Sequence, residues 1–513
     1  MATISLSQAL LVIVFIFILS SLVKGLYNIT LHPLSRIPGP RLAGFSPIWL
    51  LFHTFSLRKC EALHDAHARY GPIVRIGPGK LLISSSPDIK SVYGIGSRFL
   101  KSDFYPPWGL DGSSNIFSTI DPRDHAVRRS ITAKTFARNS IVQFLPQLVE
   151  HAGSMVKTLR RACDDNGGQT TIEFMKIARY IALDMLGSAV LGEDFQLLKT
   201  GREHPFVHDL DSATVIIPIR ATLPSWLWTI AKRVPLPKWQ HHLGGEVRLS
   251  SYAAETVDKE IRRTNKGDID GPPTLVSSYA GYRSSDGEIL SKQRIIGEIA
   301  AIYFAGTDTT SSTLTFALYE LARCPEIQNT LRAELHTRPM WKDGDQVPAF
   351  SDLEENCPYL DAFIWETLRL YAAIPSHLER VVPAPGTTVT SGQHIPGGNI
   401  IGMQNYSLHR NEALFPNPEE FRPERWLQAT AEMKKGLAPW GLGSRVCMGM
   451  HLAYIEMRLM LAAMIGNFEV VLPAGFDPAT MRMRNLWFIF PQSGKLDIVV
   501  SAWNKQEKSQ FSG

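Results

Sequence analysis

One run, Trp440-Gly441-Leu442-Gly443-Ser444-Arg445-Val446-Cys447-Met448-Gly449, crowds a thiol, a guanidinium and three glycines onto one short segment. Gly441 and Gly443 permit a tight turn. A helical pattern through Leu452, Ile455 and Leu459 follows it. A cysteine at a helix N-terminus meets free N–H groups and the positive end of the dipole, which lower its pKa and favour the thiolate. A thiolate so placed can ligate a metal. Gly449 would let a flat cofactor lie close to the backbone, and Arg445 could pair with a carboxylate on it. The bland alternative, a buried structural cysteine, is the commonest fate of a free thiol, but it leaves the crowding of Gly and Arg unexplained.

Two further groups invite chemistry. Ala305-Gly306-Thr307-Asp308-Thr309-Thr310 places small and polar residues inside an otherwise apolar helical stretch, where Gly and Thr are poor helix formers. One reading is a widened helix beside a reaction centre, with Asp308 and Thr309 as a proton path. The other is a helix–helix contact lined by small residues. In Glu366-Thr367-Leu368-Arg369 the acid and base share a helix face at i,i+3. The apolar neighbours Phe363, Ile364 and Leu368 suggest burial, and a buried pair needs further partners. Arg425, in Phe421-Arg422-Pro423-Glu424-Arg425-Trp426, is the candidate third member.

These groups need a scaffold. The spacing predicts helices from Asp121-Pro122, from about Ser291 to Arg323, and from Tyr359 to Tyr371. Strand-like runs are Ile73 to Ile76, Leu81 to Ser84 and Asn399 to Met403, and His409 to Trp426 should be irregular. The fold class is mainly α with a minor β portion, in a single body spanning 42–505 with a polar tail at 506–513. The 513 residues carry 53 Lys+Arg against 48 Asp+Glu, a net charge of +5, with 44% hydrophobic and 20% charged residues. That composition excludes a mostly disordered chain, and the weak net charge without a basic run argues against nucleic-acid binding. The five cysteines are scattered and form no C-x-x-C, so neither a disulfide framework nor a structural zinc site is expected.

The N-terminus reads as a membrane anchor. Residues 4–23 contain no charge and are long enough to span a hydrocarbon core. A cleaved signal peptide is the alternative, but no Lys or Arg precedes the run and no A-x-A site follows it. Lys24, Arg36 and Arg41 lie after it, so residues 1–3 are expected in the lumen and the body in the cytosol. The sequons at Asn28 and Asn405 would then stay unmodified. Pro33, Pro38 and Pro40 make 24–41 a proline-rich tether or an ordinary loop.

Together these motifs, in this order, resemble the cytochrome P-450 family of haem-thiolate monooxygenases over the whole chain after the anchor. The resemblance implies that family's fold, preceded by one transmembrane helix, and a haem b (iron protoporphyrin IX) cofactor. It makes Cys447 the axial iron ligand within a haem loop that includes Trp440, Gly441 and Gly449. Trp440 stands where the family usually has Phe. Arg445 becomes a propionate partner, and Glu366, Arg369 and Arg425 a structural triad. Asp308 and Thr309 match the family's acid–alcohol pair. His125 and Arg129 match a W-x-x-x-R motif with His in place of Trp, and Arg380 matches another propionate-binding arginine.

The implied activity is oxidation of a hydrophobic small molecule by O₂, with NADPH electrons arriving through a separate reductase flavoprotein and, as an additional donor, a cytochrome b-type protein. The chain is similar to filamentous-fungal members of secondary metabolism, which implies a polyketide, terpenoid or alkaloid substrate at an endoplasmic reticulum membrane. The implied pocket draws on Phe104, Tyr105, Trp108, Ile302, Ala305, the turn Ile374 to Leu378, and Leu486-Trp487-Phe488. The stretch 215–239, with three tryptophans, is read either as a membrane-dipping access route or as ordinary core. Two competing functions are an isomerase or dehydratase that needs no O₂ or reductase, and a non-enzymatic membrane haem protein. Asp308 with Thr309 argues against the first.

Overall fold

The computed structural model describes residues 6–503 except 202–203, 268–271, 285, 288, 338–339 and 342–345. Residues 1–3, expected in the lumen, and the tail 506–513 lie outside the described residues. The body read as one domain divides into two compact units. The first comprises Met1–Ser102, Ser376–Asn411 and Leu442–Arg445; the second comprises Asp103–Pro375, Glu412–Gly441 and Val446–Gly513.

The first unit holds the main sheet. Helix α1 (Leu6–Thr30) contains the stretch Leu11–Thr30, long and apolar enough to cross a membrane. Its last turns pack on α2 (Arg41–Phe45): a Cβ on Gly25 would lie 2.2 Å from the Phe45 ring, and Asn28 Nδ2 donates to Phe45 O at 3.1 Å. The segment between the helices also folds onto the sheet, with Arg75 N–H donating to Pro38 O at 2.8 Å and Arg75 Nη1 to Asn28 O at 2.8 Å. Strands β1 (Ile73–Gly77), β2 (Lys80–Ile83), β3 (Leu100–Lys101), β4 (Arg380–Val381) and β5 (Ile400–Gly402) form a five-stranded sheet in the order β1-β2-β5-β4-β3. The β2–β5 pair is parallel and the others antiparallel. Leu63, Ala66, Val74, Ile76 and Leu82 form an apolar cluster behind it. The three strand-like runs of the sequence correspond to β1, β2 and β5 within a residue or two.

The second unit is helical. Helix α3 (Pro122–Thr135) starts where the sequence places it, with Asp121 as cap accepting from Arg123 N–H at 2.9 Å and Pro122 in the first turn. Further along are α4 (Phe174–Leu186), α5 (Pro205–Thr222) and α6 (Pro237–Asn265). Helix α7 (Lys292–Arg323), capped by Ser291, is the long helix of the sequence reading, and most of its residues are buried. Helices α8 (Pro358–Leu370) and α9 (Met450–Asn467) lie further along the chain. Asp497–Ala502 pairs antiparallel with both Gln169–Glu173 and Phe468–Val471. A separate hairpin, Met483–Asn485 with Ile489–Pro491, carries Leu486-Trp487-Phe488 at its tip.

Candidate functional site

Cys447 lies just before α9, whose Gly449 cap provides no side-chain acceptor. The orphaned first N–H groups of the helix turn to the sulfur instead: Gly449 and Met450 N–H both bond it, and the Arg129 charge adds to their effect. All three favour the thiolate. Burial outweighs them and pushes the thiol up from its ordinary value. This corrects the expectation of a lowered pKa: a helix N-terminus and one cation do not compensate the desolvation of a thiolate that has no metal. A coordinated metal reverses the balance, because it deprotonates a ligating thiol. Cys447 nonetheless keeps accessible surface.

The turn before it needs its glycines. Gly441 and Gly443 have φ of 72° and 65°, and a Cβ on Gly443 would lie 2.1 Å from Tyr93 O. A Cβ on Gly449 would meet only Cys447 Sγ at 3.9 Å and Phe136 at 4.0 Å, so protein does not fill the space beside it. Trp440 packs on α9, its ring 5.3 Å from that of Tyr454, and its carbonyl accepts from Cys447 N–H at 2.8 Å.

The structure brings Glu366, Arg369 and Arg425 together. Arg369 Nε and Nη2 each donate to Glu366 at 2.8 Å, and Arg425 Nε donates at 2.9 Å. Trp426 Nε1 and Arg422 N–H supply further donors to the same carboxylate. One carboxylate thus faces two buried guanidiniums. Their remaining N–H groups go to backbone carbonyls of Pro416, Asn417, Pro418 and Glu420. The triad therefore pins an irregular segment that has no ladder of its own.

On α7 the face Ile302, Ala305, Gly306 and Thr309 retains accessible surface, whereas Tyr303, Phe304, Thr307 and Asp308 are buried. Of the two readings, the widened helix is not seen, and Lys292–Arg323 is α-helix throughout. Threonine back-bonding fits that geometry, since Thr307 and Thr309 donate to Tyr303 O and Ala305 O at 2.8 Å each. Gly306 also serves the helix contact, because a Cβ there would lie 2.8 Å from Leu186 of α4. Both Asp308 oxygens are engaged: Arg179 Nε donates at 3.0 Å and Thr214 Oγ1 at 2.8 Å. Arg179 also pairs with Asp211 at 2.6 Å. Nothing in the sequence had pointed to Arg179 or Thr214; they come from α4 and α5, far along the chain.

His125 is buried in the first turn of α3, and Arg129, one turn on, donates to Val446 O at 3.2 Å. In the first unit, Arg380 is buried with its guanidinium 4.9 Å from the Tyr93 ring centre. Its cross-strand partner in the β3–β4 register is Lys101. Burial, then the charges of Arg380 and Arg445, hold the Lys101 amine well below its usual range. Three cations share this region, which suits an anionic ligand. Lys101 escaped the sequence reading because an isolated lysine in a two-residue strand carries no signal until the register is known.

Phe104, Tyr105, Trp108, Phe117 and Trp487 form an aromatic cage. Trp108 lies 4.7 Å from Trp487 and 5.6 Å from Phe117 between ring centres, and Phe104 lies 5.2 Å from Trp487. Phe304 of α7 reaches both Trp108 and Phe488, at 6.5 and 5.3 Å. In the 215–239 stretch, Trp228 and Trp239 pack on each other while Trp226, Ile230 and Leu236 are exposed.

Comparison with known proteins matches residues 42–496 to the family described as Cytochrome P450. "Cytochrome P450 monooxygenase tazI" of Aspergillus terreus is 31% identical over 95% of this chain and 97% of its own length. "Pisatin demethylase" of Fusarium vanettenii is 28% identical over 90% of this chain and 87% of its own. "Tryprostatin B 6-hydroxylase" of Neosartorya fischeri is 29% identical over 88% and 79%. The crystal structure of a cytochrome P450, CYP102L1, superposes with a TM-score of 0.73 at 18% identity, covering 91% of this chain and 98% of that one.

Proposed function

The chain belongs to the cytochrome P450 family, whose curated members similar to it include monooxygenases, and we propose that it oxidises a hydrophobic small molecule of fungal secondary metabolism, a polyketide, terpenoid or alkaloid. Dioxygen and NADPH electrons, delivered by a membrane reductase flavoprotein with a cytochrome b-type protein as a second donor, are the co-reactants of this reading. The filamentous-fungal relatives, two of them named for reactions on tryprostatin B and pisatin, support it.

The observation that carries the proposal is the environment of Cys447: an accessible cysteine whose sulfur meets two backbone N–H groups and a guanidinium charge, beside a glycine whose absent side chain leaves room. These residues suit haem b. Bound there, haem supplies dioxygen activation, with the thiolate favouring O–O cleavage. Cys447 would hold its iron through the thiolate. Arg445, Arg380, His125 and Arg129 would pair with its propionates.

The chain's own groups do the rest. The Thr309 hydroxyl bonds Ala305 O, and it can turn from that carbonyl to hold water and pass a proton. Asp308 is the acid that would resupply it, and it must first loosen its bond to Arg179 or Thr214. The aromatic cage and the accessible face of α7 offer a mostly apolar lining for the substrate. Helix α1 would anchor the protein in the endoplasmic reticulum membrane with the body cytosolic. Asn28, buried and bonded to Phe45 O, is a closed sequon in either topology.

The test is the carbon monoxide difference spectrum of dithionite-reduced membranes containing the chain. A strongly red-shifted Soret band is expected, and its loss in Cys447→Ala assigns the ligand. A haem band without the shift, or no haem in folded protein, overturns the reading. Product formation without NADPH or O₂ would replace it with the isomerase or dehydratase reading.

A further inference from the structure

The loop that presents Trp108 has little regular structure of its own beyond a bridge between Leu110 and Ser113. Pro106 and Pro107 carry no N–H, the only regular turn is the short 3₁₀ stretch Pro106–Trp108, and Asp111 and Gly112 adopt φ of 47° and 73°. Backbone N–H groups of the loop itself serve the carbonyls of Tyr105, Pro106, Leu110 and Ser113, whereas those of Pro107, Trp108 and Gly109 are satisfied by side chains. Arg220, two residues before the end of α5, donates through Nε to Pro107 O at 2.7 Å and through Nη2 to Gly109 O at 2.8 Å. The carbonyl between them, on Trp108, accepts from Asn115 Nδ2 at 3.1 Å. The third Arg220 nitrogen, Nη1, donates to Glu246 Oε2 of α6 at 2.6 Å, and Glu246 Oε1 accepts Asp111 N–H at 2.9 Å. Asn115 belongs to the same connection as the loop. Arg220 and Glu246 therefore supply the side-chain bonds named here that tie residues 107–111 to helices.

We propose that Arg220, braced by Glu246, is a positioning residue that keeps Trp108 in the aromatic cage and thereby limits the size of ligand the pocket admits. This rests on the reading above that the cage lines the substrate pocket. The guanidinium fork grips the carbonyls on either side of Trp108, so the indole cannot swing out while both bonds hold. Lysine could reach one carbonyl but could not bridge two while also meeting Glu246. The ligands discriminated are bulky, largely aromatic molecules, since small ones need no loop opening.

The experiment uses the full-length haem-loaded protein and four variants: Arg220→Gln, Arg220→Lys, Glu246→Gln and Trp108→Ala. Amide hydrogen exchange reads loop opening at residues 108–115. Stopped-flow Soret shifts read association of clotrimazole, a bulky azole, and of imidazole, a small one. Losing two charge-assisted hydrogen bonds should speed both loop exchange and clotrimazole association in Arg220→Gln by about tenfold. Imidazole association should change by less than about twofold, because a small ligand needs no loop opening. Arg220→Lys should recover part of the effect. If Arg220→Gln fails to load haem, Glu246→Gln, which removes the brace and keeps the fork, must show the same pattern at smaller size. Unchanged exchange and unchanged clotrimazole rates in these variants overturn the proposal. If Trp108→Ala alone changes clotrimazole binding, the pocket reading stands and the Arg220 role fails; if Trp108→Ala changes nothing, the pocket reading itself fails.

Discussion

Replacing Glu456 by Gln should alter the pH dependence of stability and little else. Glu456 is buried on α9. Its Oε2 accepts from Thr310 of α7 at 3.0 Å, and its Oε1 has no partner among the described residues. No cation compensates its burial, which pushes the carboxyl from an ordinary 4.5 up to about 8. In that window the unfolded chain has released a proton that the folded protein keeps. The folded state binds more protons, so stability falls as pH rises from the lower value to the higher. At about 1.4 kcal/mol per pH unit the window has a ceiling of ~5 kcal/mol. Relaxation and water penetration around a buried charge reduce it to about 2 kcal/mol. Glutamine keeps an oxygen for Thr310 and has nothing to ionise. The melting temperatures of the haem-loaded wild type and Glu456→Gln should therefore match near about pH 5 and diverge by about 2–4 °C in favour of the variant near about pH 9. Taking the difference cancels every other titrating group. Parallel curves, or a wild type that gains on the variant as pH rises, would refute the assignment of a protonated Glu456.

Glu366→Ala leaves two buried guanidiniums without their shared carboxylate and should cost about 3–5 kcal/mol, read as loss of haem-loaded protein and early melting; a variant that loads haem normally would show the triad to be dispensable. Gly443→Ala combines a left-handed backbone with a Cβ contact of 2.1 Å on Tyr93 O and should cost at least about 2 kcal/mol by thermal melting. Gly392→Ala is its control, with φ of 82° and nothing within 4 Å, and should cost only about 1 kcal/mol. Thr309→Ala loses one bond to Ala305 O and should melt within about 1 kcal/mol of wild type. It should divert NADPH electrons to hydrogen peroxide, and unchanged coupling of NADPH to product would remove Thr309 from proton delivery.

Local signals survived folding well. Asp121 caps the helix it was expected to start, and Ser291, where the long helix was expected to begin, is its cap, because an N-cap is settled by side-chain geometry within three residues. The irregular course of His409 to Arg422 was legible in its prolines, which lack an N–H, whereas Pro423–Trp426 forms a short 3₁₀ helix with Pro423 in the first turn, where no N–H is needed. The glycines before Cys447 were legible as turn residues, and their φ values bear that out. What failed were balances between local and distant terms. The helix dipole argued for a lowered Cys447 pKa, but desolvation depends on everything packed around the sulfur. One reading of the small residues at 305–310 was a widened helix, but α geometry is kept by back-bonding and by the close approach of Leu186 to Gly306.

The kind of chemistry was written in the order of residues: a thiol at a helix start, an i,i+3 pair and an acid–alcohol pair each act over distances the local chain sets. The partners of those residues were not. Arg179 and Thr214 on Asp308, Lys101 opposite Arg380, and Arg220 with Glu246 on the Trp108 loop come together only when helices pack and strands take their register. Ion pairing and hydrogen bonding fall off within a few ångströms, so what a charged group meets depends on which segments the fold brings beside it, and its separation along the chain carries no record of that.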